Sequence, residues 1–206
     1  VAAAQIQRDA LHLLEADDPK TERRVKMVHT SAIGHLNGKA RSLDLVIVGG
    51  CPGSGKTTIC RELWTRWNVV PMIDFGQLRS FHLDREWKNE SAEEESIAFD
   101  HLVHIVHNYV AHNFRPVLVH DLRDYRVTQT ELRFGNLNYR IVTLVCPDEV
   151  IAKRVSGRNE GFTNVSAALE WNRIAMNRPL VAREVRIANV GDLAVIVDEI
   201  ESSLFR

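Results

Sequence analysis

The run Gly50-Cys51-Pro52-Gly53-Ser54-Gly55-Lys56-Thr57-Thr58 completes the pattern G-x-x-x-x-G-K-[ST]. Its chemistry is phosphate binding. The glycines let the backbone curl so that successive N–H groups point at a bound polyphosphate, Lys56 reaches the β- and γ-phosphates, and the Thr57 hydroxyl ligates Mg²⁺. Gly50, Gly53, Ser54, Gly55, Lys56, Thr57 and Thr58 are therefore the expected nucleotide contacts, with ATP and Mg²⁺ as the expected cofactors. A second candidate lies in Val117-Leu118-Val119-His120-Asp121, where a mostly apolar run ends on an acid at the carboxyl end of a strand. Asp121 there reads as a Walker B acid and, with Thr57, as a metal-binding residue. Asp124 follows closely together with Arg123 and Arg126, so either acid fits the role.

Phosphoryl transfer needs little covalent help but much positive charge around the migrating group. Arg154 and Arg158 are spaced to share one face of a helix just before a glycine-containing break, which predicts an arginine clamp. Arg173 and Arg178, beyond the short segment Asn159–Thr163, are expected to close over the nucleotide or acceptor when that lid folds down. A metal reading of His101, His104, His107 and His112 fails on helical geometry. His101, His104 and His112 fall with Asn108 on a wet face, while Phe99, Leu102, Val106, Tyr109 and Val110 occupy the other side, and no acid or thiol is offered beside them.

These residues need a scaffold that brings strand ends together. Leu43 to Val48 is rich in branched apolar residues, as a buried parallel strand requires, and Thr58 to Trp64 continues with helical periodicity. Further strands are predicted at Val69–Asp74, Val117–Asp121, Arg140–Cys146 and Glu184–Asn189. Helices are predicted at Gln77–Trp87, Ala92–Phe114, Pro147–Arg158, Asn164–Asn177 and Asp192–Phe205. The alternation is the βαβα rhythm of a parallel sheet covered on both faces. Residues 1–42 precede it as an N-terminal helical extension of about two helices, with an apolar stripe at Ile6, Ala10, Leu11, Leu13 and Leu14 and a second helix beginning at Asp18-Pro19. Two such helices cannot bury their stripes alone, so the extension is expected to dock either on this domain or on a protein or nucleic-acid partner, the partner being favoured.

With 206 residues, 45% of them hydrophobic, the chain holds one well-packed domain and an appendage. Lys and Arg total 26 against 27 Asp and Glu, so no global basic field argues for nucleic acid or an anionic membrane. The three cysteines, Cys51, Cys60 and Cys146, lack zinc spacing and read as reduced thiols. No apolar stretch approaches a membrane span, the first residues have no signal-peptide h-region, and Asp9, Glu15, Asp17, Asp18 and Glu22 are too many acids for a transit leader. An intracellular protein of cytoplasm or organelle matrix is expected, with no membrane partner.

Taken together these segments resemble the small P-loop kinases, a group that includes nucleoside monophosphate kinases, shikimate and gluconate kinases, and polynucleotide 5′-kinases. The resemblance spans residues 43–206. Ile73-Asp74-Phe75-Gly76-Gln77-Leu78-Arg79 is similar to the segment where that group holds its acceptor, which implies that Arg79 meets the acceptor's phosphate or carboxylate. Leu144 to Arg158 is similar to the strand, Pro-Asp helix start and paired arginines that open the lid, and Asn189-Val190-Gly191-Asp192 stands where the adenine-contacting loop follows the last strand. Many hydroxyl-phosphorylating members carry an aspartate where this chain has Gly76, and Asp74 is the expected substitute base. The fingerprint Asp-Gly-Phe-Pro-Arg of adenylate kinases is replaced by Asp121-Leu122-Arg123-Asp124-Tyr125, which argues against a plain adenylate kinase.

The expected fold is thus α/β, a three-layer α/β/α sandwich on a five-stranded parallel sheet, with the Walker B strand beside the phosphate-loop strand. The expected activity is ATP-dependent phosphotransfer to a small-molecule hydroxyl or nucleotide acceptor. The expected catalytic residues are Lys56, Asp74, Arg79, Asp121, Arg154, Arg158 and Arg173, with Arg154 and Asn189 also on the nucleotide. Two alternatives stay open: a polynucleotide 5′-hydroxyl kinase, and a non-catalytic nucleotide-binding subunit of a larger assembly.

Overall fold

Five short runs, fully or largely buried in the three central strands, align as one parallel sheet in the computed structural model, which describes residues 42–67, 70–80 and 92–205. The strands are β1 (Leu45–Gly50), β2 (Met72–Asp74), β3 (Val117–His120), β4 (Tyr139–Val145) and β5 (Glu184–Ala188), in the order β2-β3-β1-β4-β5. The phosphate-loop strand β1 is central. It pairs with β3 in the register Val48 to His120 and with β4 in the register Val48 to Val142. β3, which ends just before Asp121, is therefore the neighbour of the phosphate-loop strand, as expected.

The connecting helices are α1 (Lys56–Trp67), α2 (Phe75–Ser80), α3 (Ala92–Ala111), α4 (Asp124–Val127), α5 (Thr130–Phe134), α6 (Asp148–Ser156), α7 (Val165–Asn177) and α8 (Leu193–Leu204). Alternation along β1 sends Leu45 and Ile47 into a cluster with Phe75, Phe99, Leu102 and Val106, so α3 covers that face. Val46 and Val48, equally buried, point to the opposite face, which α1 and α8 cover together. Phe99 lies edge-on to Phe75 at 6.2 Å and to Phe134 at 6.3 Å, locking α2, α3 and α5 by aromatic packing.

Several boundaries differ from expectation. β2 is shorter, beginning at Met72, and α3 ends at Ala111 because Asn113 takes a positive φ of 62° that a helix cannot continue. The two short helices α4 and α5 fall in a stretch with no sustained apolar period and were not anticipated. The helix expected over Gln77–Trp87 is seen as Phe75–Ser80, its later part lying outside the described residues. The N-terminal helical extension at residues 1–42, including its expected helices and partner surface, lies outside them too, except for Ser42. Tyr109, expected on the apolar side of α3, is 36% exposed and packs edge-on against Phe114 at 5.9 Å.

Among the described residues no helix is long and apolar enough to cross a membrane. His101, His104 and His112 are exposed, as the wet-face reading requires, and no cluster suited to a metal ion forms there among the described residues.

Candidate active site

The loop from Gly50 to Gly55 leaves the carboxyl end of β1 and feeds directly into α1, whose first residue is Lys56. Positive φ values of 85° at Gly53 and 92° at Gly55 turn the chain tightly enough to aim its N–H groups inward. Space forbids side chains there as well: a Cβ on Gly53 would come within 2.9 Å of Val155, and one on Gly55 would run into the Asn189 amide. Lys56 curls back over the loop. Its Nζ donates to the carbonyls of Gly50 and Cys51, both at 2.9 Å, and sits 3.4 Å from Asp121 Oδ1. Thr57 and Thr58 stay exposed at the start of α1.

Asp121 follows the last residue of β3 and has a positive φ of 63°, which turns its carboxylate toward the loop. That carboxylate is 38% exposed and bridges two cations, Lys56 through Oδ1 and Arg79 Nη2 through Oδ2 at 3.5 Å. Arg79, on α2, is buried, and its guanidinium lies 5.6 Å from the Phe75 ring centroid. Asp74 ends β2 in register with His120, and its Oδ1 accepts the Gly76 N–H at 2.8 Å, so it caps α2 while staying at the site's edge. Lys56, the pair Asp74 and Arg79, and Asp121, from three separate segments of the chain, thus meet at one end of the sheet. Gly76 fits between two acids: a Cβ there would approach Asp121 Oδ2 to 2.7 Å and Asp74 Oδ1 to 3.0 Å.

The outer wall of the loop is braced by residues whose roles differ from expectation. Asn189, expected at the adenine, is buried, and its Nδ2 donates to Ser54 O at 2.6 Å, which fixes the loop from behind. Arg154, expected on the nucleotide, lies beside the loop, its Nη1 donating to Gly53 O at 3.2 Å and to Cys146 Sγ at 3.4 Å. Asn172 is buried on α7, takes the Cys146 N–H at 3.3 Å and donates to the Cys146 carbonyl at 2.7 Å. Nothing in residue spacing announces Asn172 or the bracing role of Asn189, because each works through a strand end distant in sequence.

Three arginines are placed otherwise than predicted. α6 ends at Ser156, so Arg158 lies beyond it, exposed, and does not share a helix face with Arg154. Arg173 is an exposed partner of Asp148, at 2.5 Å, joining α7 to the start of α6. Arg178 does not reach toward the loop: Asp124 and Glu184 hold it. Of the two acids near the strand end, it is Asp121 that faces Lys56, whereas Asp124 is tied to Arg178.

Burial tunes several groups. Desolvation pushes the Cys51 thiol up to about 11, against the pull of Lys56, so the cysteine in the loop is a protonated filler and not a nucleophile. Cys146 is raised for the same reason, with Arg154 opposing. His120, 2% exposed, is held below its ordinary value by burial, although Asp74 and Asp121 pull the other way, and its Nδ1 has no hydrogen-bond partner among the described residues. A hydroxyl at Thr57 and a carboxylate at Asp121 form a hard oxygen donor set, and its chemistry fits Mg²⁺.

This arrangement can hold a polyphosphate over a helix start with a lysine and an acid on its terminal end. A family profile described as AAA domain matches residues 46–168, more than half of the chain. The chain belongs to the AAA domain family. Its fold is that of the small P-loop kinases. A gluconokinase from Sinorhizobium meliloti 1021 superposes with a TM-score of 0.57 at 21% identity, covering 77% of this chain and 90% of the other. A sugar kinase from Janibacter sp. HTCC2649 gives 0.60 at 16% identity, with 78% and 93% covered. A chain of the Pnkp1/Rnl/Hen1 RNA repair complex gives 0.52 at 14% identity, with 64% and 44% covered. At these identities the likeness is one of fold. No curated protein sequence matches the chain.

Proposed function

We propose that this AAA-family chain is an ATP-dependent phosphotransferase that moves the γ-phosphoryl group to a hydroxyl or nucleotide acceptor. The observation that carries the reading is the meeting of Asp121 with Lys56, 3.4 Å apart, at the mouth of the glycine loop. An NTP-binding scaffold needs the loop; a transferase needs an acid and cations converging beyond it, and this site has both.

In this reading the N–H groups of the loop cradle the phosphates, and Lys56 exchanges its contacts with the Gly50 and Cys51 carbonyls for phosphate oxygens. Thr57 and Asp121 would hold Mg²⁺, which supplies charge neutralisation on the phosphates. Arg154, beside Gly53, takes the nucleotide side, and Arg158 reaches the migrating group from the lid. Arg79 orients the acceptor. Asp74 keeps Oδ2 for an acceptor hydroxyl while Oδ1 holds the Gly76 N–H. Phosphate acceptors require no base.

The polynucleotide 5′-hydroxyl alternative draws on the fold shared with the RNA repair chain. The experiment is ADP release with Mg²⁺·ATP against sugars, nucleosides, nucleoside monophosphates and 5′-hydroxyl oligonucleotides, for the full chain and Asp121→Asn. Acceptor-dependent turnover that falls at least about a hundredfold in Asp121→Asn supports the reading. ATP binding without turnover on any acceptor would leave the non-catalytic subunit instead.

A further inference from the structure

Arg178 caps the carboxyl end of α7, and its side chain is only 12% exposed. Its Nε donates to both oxygens of Asp124, at 2.9 and 2.8 Å, while Nη1 and Nη2 donate to the two oxygens of Glu184 at 2.8 and 2.7 Å. Glu184 is itself buried on β5. It also accepts Thr143 Oγ1 at 2.5 Å and the Val181 N–H at 2.8 Å, so both carboxylate oxygens are fully engaged. A guanidinium forked between two carboxylates in this way is a fixed part, since each charge is paired and hydrogen-bonded. It is not available to close over a ligand.

What it fixes is the turn after β3. Asp121 takes a φ of 63°, a conformation that a non-glycine residue keeps only where its surroundings over-determine it. The contacts on its own carboxylate, 3.4 Å to Lys56 and 3.5 Å to Arg79, are long, and both cations would be drawn to phosphate. The β3 ladder holds the chain before Asp121, through His120. After it, the Asp124 carboxylate is held by Arg178 at 2.8 Å.

We propose that Arg178 is a positioning residue for the Mg²⁺-binding acid: by tying Asp124 to the buried Glu184, it holds Asp121 turned toward the phosphate loop. This rests on the phosphotransferase reading above. The same tie joins the carboxyl end of α7, the helix that follows the lid segment, to the metal side of the site.

The test is binding of a fluorescent ATP analogue with and without Mg²⁺, with thermal melting alongside, for the full chain and for Arg178→Met, Asp124→Asn and Thr143→Val. The unaltered chain should bind more tightly with Mg²⁺. Arg178→Met and Asp124→Asn should each lose about tenfold or more of that gain, as outer partners of metal ligands do, while metal-free affinity stays within about twofold. Thr143→Val loosens Glu184 without touching Asp124, so it should lower the melting temperature and keep the Mg²⁺ gain. An undiminished gain in both Asp124→Asn and Arg178→Met overturns the proposal, as does equal weakening with and without metal, which would put Arg178 on the nucleotide. Should Arg178→Met fail to fold, the isosteric Asp124→Asn decides. If the unaltered chain binds no nucleotide, the phosphotransferase reading itself falls.

Discussion

Gly76 and Asp121 are in such close apposition that a Cβ on the glycine would lie 2.7 Å from the Asp121 Oδ2. The position therefore has no room for the aspartate that many hydroxyl-phosphorylating P-loop kinases carry there, and the acid between Lys56 and Arg79 is the group it would displace. Gly76→Asp places a second negative charge against Asp121 and should cut turnover by more than about tenfold, with Gly76→Ala intermediate. Steady-state kinetics of the two variants check this; wild-type rates in Gly76→Asp would show that Asp121 moves aside freely.

Lys56→Ala should abolish transfer and weaken triphosphate binding by at least about a hundredfold, because the ammonium is the positive charge nearest the phosphate cradle. Lys56 is buried, not the exposed loop lysine its position suggests, so a small drop in melting temperature should accompany the loss. Calorimetric titration with ATP measures the first effect. Unchanged affinity refutes the phosphate-loop assignment.

Arg154 and Arg158 should separate kinetically. Arg154 already contacts the loop at Gly53 O, so Arg154→Ala should raise the KM for ATP several-fold. Arg158 is exposed beyond the end of α6, so Arg158→Ala should lower kcat by about tenfold with a smaller change in KM. If Arg158→Ala retains full kcat, the lid arginine must be sought elsewhere.

Acid stability should depend on Glu184. Burial pushes its carboxyl up, but Arg178, Thr143 and the Val181 N–H together bring it below its ordinary value of 4.5. A carboxyl lowered on folding contributes stability that is complete above that ordinary value and is lost as pH falls through the lower folded value. Melting temperature should thus drop steeply below about pH 4.5. Glu184→Gln should start lower at neutral pH and show a shallower acid decline; a parallel decline in both proteins would count against the network.

The phosphate loop and the parallel sheet were legible from residue order, because each is written locally. A glycine pattern with Lys56 and Thr57 demands one backbone shape, and runs such as Val117 to Val119 can only be buried strands. Which of Asp121 and Asp124 would face Lys56 was not legible. Two acids so close in the chain look alike until Arg178, brought in from the end of α7, claims one and Lys56 faces the other. Asn189 likewise reads as an adenine contact by position, yet the parallel pairing of β4 with β5 carries it behind Ser54. Arg154 and Arg158 have helical spacing, but spacing does not say where the helix stops, and α6 stops at Ser156. Local patterns are read along the chain, while the partner of a charged side chain is set by which strand ends the sheet brings together, and that is decided only when the core is packed.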